Sequence, residues 1–91
     1  MTTREAFVRE MTAWINARLA PPGVRVDGAT LLFAERIINS IKILELIAWT
    51  ERAIGRPIPD AQIRLDNFRS VERIAEVFVA AEARDVAAVR R

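Results

Sequence analysis

The apolar positions fall into three blocks with helical spacing, separated by stretches that cannot be helical throughout. In the first block, "TTREAFVREMTAWINARLA", Phe7, Val8, Met11, Ile15 and Leu19 recur at three- and four-residue intervals. Pro21, Pro22 and Gly23 stop the pattern, so the spacing predicts a helix over about 3–19. Thr2 and Glu5 match a capping box at its start. The second block follows Asn39, whose side-chain oxygen suits an N-cap. It ends at Gly55, with Pro57 forbidding continuation. On a helical wheel Ile41, Ile43, Leu44, Leu46, Ile47, Ala48 and Ile54 fill a wide apolar arc, and Lys42, Glu45, Trp49 and Arg52 form the remaining stripe. Glu51 falls inside the apolar arc. A carboxylate there is costly unless it finds a hydrogen-bond partner or a route to the edge.

Between these blocks runs "PPGVRVDGATLLFAERIIN". Leu31, Leu32, Phe33, Ile37 and Ile38 are too many apolar groups to leave in water, which predicts an ordered loop lying over the core with a short helical turn. Leu31, Leu32, Phe33, Ile37, Ile43, Leu46 and Ile47 are the expected core of this half, and Trp14 is expected to pack partly buried. After "GRPIPD", the segment "AQIRLDNF" has room for one or two turns. Ser70 then caps a last helix with Val71, Ile74, Ala75, Val77 and Phe78 on its inner face, its final turns near 84–91 frayed. Nothing alternates with period two long enough to make a sheet. The expectation is an all-α fold: one domain over 1–91, a small antiparallel bundle of three main helices plus one short helix, with a long ordered loop between the first two.

Composition narrows the chemistry. The chain has 91 residues, 52% of them hydrophobic, which is enough for one core. It contains no cysteine and no histidine. Disulfides, thiolate nucleophiles and serine triads are thereby excluded, and a zinc site loses its usual ligands. An enzyme and a resident metal are not expected. The formal charge is only +2, with acids and arginines interspersed apart from the closing "VRR". Nucleic-acid binding wants a clustered basic stripe, so it is not expected. No apolar run approaches membrane-spanning length, and the charged opening "MTTREAFVRE" does not read as an export signal. A cytoplasmic monomer is expected.

One polar pair stands out. Asn39 and Ser40 interrupt the apolar run "ERIINSIKILEL". "INSIKILELIAWTERAIGRPIPD" resembles the central part of acyl carrier proteins: a small polar pair and Ile41 open an apolar helix, Glu45-Leu46 and Glu51 follow within it, and Gly55 and Ile58-Pro59-Asp60 close the segment. Downstream "NFRSVERIAEVF" resembles the last loop and helix of that family. The resemblance spans about 30–79. It implies that Ser40 carries 4'-phosphopantetheine, placed there from coenzyme A by a phosphopantetheinyl transferase, and that the arm's thiol holds the cargo as a thioester. Asn39 stands where the family commonly has aspartate, keeping the cap and losing the charge. The Lys42, Glu45, Trp49 and Arg52 stripe is then the expected partner-docking face. Within the family the chain looks most like free-standing carriers loaded by separate adenylating ligases, which pass cargo to a downstream acyl-accepting enzyme. A carrier for polyketide or fatty acyl chains is the alternative, and an unmodified carrier-like interaction module is the alternative of another class. At the start of a helix, Ser40 would meet unsatisfied N–H groups that favour the anionic phosphodiester.

Overall fold

The computed structural model describes residues 3–80. Helix α1 spans Arg4–Arg18, helix α2 Lys42–Ile54, and helix α3 begins as Val71–Ile74 and continues with wider π-type winding over Ala75–Ala80. The fold is all-α, and no strand occurs among the described residues. Two separate single-turn 3-10 helices, Asp60–Gln62 and Leu65–Phe68, take the place of the one short helix expected between α2 and α3. Arg64 lies extended between them and breaks the run. The expected frayed turns at 84–91 lie outside the described residues.

Each helix boundary has a local cause. Thr3, in extended conformation, accepts a hydrogen bond from the Ala6 N–H at 3.1 Å and starts α1. The cap is therefore Thr3 and not Thr2, which lies outside the described residues. Position three of this cap is Ala6, which has no side chain to reach back, so no reciprocal box forms. Beyond α1, Pro22 and Gly23 turn the chain: Gly23 has φ +82 and the Val24 N–H reaches the Pro21 carbonyl at 3.0 Å. That is the Pro-Gly signature of a type II turn. Gly55 closes α2 in the left-handed region at φ +75, its N–H on the Glu51 carbonyl. Ser70 opens α3 by accepting from the Arg73 N–H at 3.1 Å.

Phe7, Met11, Ile15 and Leu19 make one buried stripe along α1 at four-residue spacing. Leu46 from α2 and Val71, Ile74, Ala75 and Phe78 from α3 close on it. Burying one large apolar side chain of this kind contributes roughly 1.5–3 kcal/mol, so this stripe and its partners dominate the fold's stability. The start of α2 lies by the end of α1, where the Lys42 amine donates to the Leu19 carbonyl at 3.0 Å. Further along, Trp49 of α2 meets Phe7 of α1 edge-on, with ring centroids 5.5 Å apart. These two contacts make α1 and α2 antiparallel.

The long loop is part of the core. Val26, Leu32, Ile37 and Ile38 are buried. Asn16 of α1 grips Val26 twice: its Oδ1 accepts from the Val26 N–H at 2.7 Å and its Nδ2 donates to the Val26 carbonyl at 2.9 Å. The loop is pinned to the start of α3 as well, by the Leu32 N–H on the Arg69 carbonyl and the Glu72 N–H on the Gly28 carbonyl. The expected helical turn lies at Leu31–Arg36. It ends with the Ile37 N–H on the Leu32 carbonyl and the Arg36 N–H on the Phe33 carbonyl, the two bonds of a Schellman motif. Arg36 occupies the left-handed position of that motif at φ 60. Leu31 departs from the expected core and is 50% exposed. Leu32 and, in part, Phe33 take the inward positions of the turn.

Candidate functional site

Asn39 organises the start of α2. Its Oδ1 accepts from the Ile41 N–H at 2.9 Å and from the Lys42 N–H at 2.8 Å, while the Ile43 N–H reaches the Asn39 carbonyl at 3.0 Å. The regular helix begins at Lys42, with Ser40 and Ile41 forming a turn ahead of it. The amide orientation of Asn39 follows from these bonds, because only the oxygen can accept from two N–H groups. The expectation of several unsatisfied N–H groups beside Ser40 is corrected here: two of them are occupied by Asn39. What remains is the N–H of Ser40 itself. Ser40 is exposed, and neither its hydroxyl nor its N–H has an acceptor among the described residues.

The stripe on α2 divides. Lys42 is partly buried with its amine on the Leu19 carbonyl, where a cation also suits the negative end of the α1 dipole. Trp49 is half-buried, stacked on Trp14 at 5.7 Å and 24° and edge-on to Phe7. Both therefore face α1, with part of each side chain left to solvent. Glu45 and Arg52 are exposed. The turn ahead of α2 and the outward part of the helix instead present Ile41 at 73% and Leu44 at 66% exposure. Both lie within the apolar arc that the sequence predicts. The inward arc is centred on Ile43, Leu46, Ile47, Thr50 and Ile54, so Ile41 and Leu44 fall beyond its edge. Trp14 is half-buried and packs against the core, in line with the sequence reading.

Glu51 has the partner its position demands. Its Oε2 accepts from the Ile58 N–H at 2.8 Å, tying α2 to the chain just past Pro57. Thr50 is fully buried and satisfies its hydroxyl on the Leu46 carbonyl at 2.8 Å. A second charged group lies at the α3 start. The Asp66 carboxylate meets Arg69 at 2.6 Å and Arg73 at 3.3 Å, and Arg73 also pairs with Glu76. The hydrogen bond from Arg69, helped by the charges of Arg69 and Arg73, holds the Asp66 carboxyl below its ordinary value of 3.8.

No protein-family model matches the chain, and no curated protein matches it. Among the described residues no group of acids could hold a metal ion. Among them, too, no helix is long and apolar enough to cross a membrane. The arrangement at Ser40 can offer one exposed alcohol, on a turn fixed by its neighbour, to a reagent brought by another molecule. The chain has no histidine to activate that alcohol itself.

Proposed function

We propose that the chain is an acyl or aminoacyl carrier in which the Ser40 hydroxyl bears 4'-phosphopantetheine. The cargo is held as a thioester on the arm's thiol and is loaded by a separate adenylating ligase. The observation that supports this best is the exposed hydroxyl of Ser40, without a hydrogen-bond partner among the described residues, on a turn that Asn39 fixes ahead of α2. The sequence resemblance over 30–79 supplies the chemistry. A phosphopantetheinyl transferase and an acyl-accepting enzyme complete the set of partners.

The residues present suit the group. In the transfer, the Ser40 oxygen forms a new bond to phosphorus while a phosphoanhydride bond of coenzyme A breaks and the nucleotide leaves with the electron pair. The serine proton goes to a base on the transferase. When bound, the arm supplies the thiol that a chain without cysteine lacks. The anionic phosphodiester would be held by the Ser40 N–H and by the positive end of α2. Asn39 adds Nδ2, a donor with no acceptor among the described residues, where an aspartate would add negative charge.

Co-expression with a broad-specificity transferase, followed by intact-protein mass spectrometry, tests the reading. The wild type should gain one phosphopantetheine, and Ser40→Ala should gain none. A wild type left unmodified by several transferases, its own included, would overturn the carrier and leave the interaction module.

A further inference from the structure

A groove runs between α1 and α2, lined by Trp14, Arg18, Glu45, Ala48 and Arg52. Its walls are held in place. The Lys42 amine on the Leu19 carbonyl ties the helices together at one end, and the Trp14–Trp49 stack spans them further along. The charges in it are uncommitted: Arg18, Glu45 and Arg52 form no ion pair among the described residues, and all three are exposed. Arg18 and Arg52 each lie in the last turn of a helix, where a cation complements the dipole. That accounts for a positive charge at each position. It does not account for two guanidinium groups lining one groove beside an indole.

We infer that this groove docks an acidic segment of a partner protein, with Arg18 and Arg52 receiving carboxylates. A guanidinium presents a planar fork that matches a carboxylate bidentately and stacks on an aromatic face. Trp14 lines the groove beside Arg18 and Arg52. Glu45 sets the selectivity. A ligand with an unbroken run of negative charge, such as RNA, must bring one of its phosphates against this carboxylate, whereas a peptide can place a cation or a neutral residue there. The net charge of +2 gives little general attraction for polyanions, so binding depends on this local pattern. The expected docking face thus moves from the outward stripe of α2 to a cleft shared with α1, and Arg18 joins it.

The test uses the full chain, unmodified and labelled with nitrogen-15. The probe is a blocked, alanine-based helical peptide with glutamates along one face and a single lysine between them. Its glutamine counterpart and an oligouridylate serve as comparisons. The acidic peptide should shift the Trp14 indole N–H and the amides of Arg18, Ala48 and Arg52, and the glutamine peptide should not. The double variant R18E/R52E should weaken binding at least about tenfold. R18K/R52K keeps both charges for the helix dipoles and loses the forks, so several-fold weakening there separates recognition from a structural role. Glu45→Gln should let oligouridylate into the groove. Shifts centred elsewhere, unchanged affinity in R18E/R52E, or wild-type binding of oligouridylate as tight as the peptide would each overturn the assignment. Because the protein is unmodified throughout, failure here leaves the mass-spectrometric result at Ser40 untouched.

Discussion

Arg36 holds a left-handed backbone conformation, φ 60, at the end of the loop's helical turn. A side chain in that region costs roughly 1–2 kcal/mol, and glycine avoids it at some loss of chain entropy. Arg36→Gly should therefore be neutral or stabilise by up to about 1 kcal/mol, and the β-branched Arg36→Val should destabilise; urea unfolding of the three proteins measures both. Asn39 is the more consequential residue, since its Oδ1 takes the N–H groups of Ile41 and Lys42. Asn39→Ala should cost about 1 kcal/mol, within a range of roughly 0.5–2 for lost caps. Asn39→Asp keeps the acceptor and adds a charge that the α2 dipole favours, so its stability should match or exceed the wild type. A melt of Asn39→Asp well below the wild type would show that the Nδ2 donor also matters. Ser40→Ala removes an exposed hydroxyl with no partner among the described residues and should leave stability unchanged within about 0.5 kcal/mol. Its effect on modification can then be read as chemistry and not as unfolding.

At the scale of elements, single side chains fasten the irregular segments to the helices. The Glu51 carboxylate reaches from α2 to the Ile58 N–H, beside the buried Ile58 side chain. Glu51→Leu would suit the apolar arc by pattern alone, yet it strands that N–H, so a loss of about 1–3 kcal/mol is expected in denaturant unfolding. Asn16 does the same for the long loop, with two bonds to Val26. Asn16→Ala should cost a similar amount. It should also speed amide hydrogen exchange around Val26 more than in α3, since the loop loses its anchor while the helix keeps its own packing. The loop approaches α3 closely at Gly28, where an added Cβ would come within 3.0 Å of the Glu72 side chain and 3.3 Å of Val8. That contact explains a glycine whose φ is unexceptional.

At the scale of the whole molecule, the ion pairs of Asp66, Arg69, Arg73 and Glu76 gather near α3. Asp66, with its folded value depressed, stabilises the fold above its ordinary value of 3.8. The contribution is lost as pH falls through the lower, folded value. The melting-temperature gap between wild type and Asp66→Asn should thus be present at pH 6 and close below about pH 4. A gap that widens on acidification would contradict the assignment. The group is exposed, so added salt should also narrow the gap. The sequence by itself determined the three helices and most of their ends. Periodic apolar spacing, Pro21 to Gly23, Gly55 and the Ser70 cap are local signals, and each acts through the few residues beside it. Asn39 was legible for the same reason, and so was the need of Glu51 for a partner, though not the partner. Tertiary structure decided the rest. It buried Leu32 and left Leu31 out, and it buried Leu46 and left Leu44 exposed, because only the packing of α2 on α1 fixes which edge of a wide apolar arc faces inward. That same contact turned Lys42 and Trp49 toward α1 and opened a groove between Arg18 and Arg52. Those pairings join residues far apart in the chain, and spacing along one helix carries no record of its neighbour.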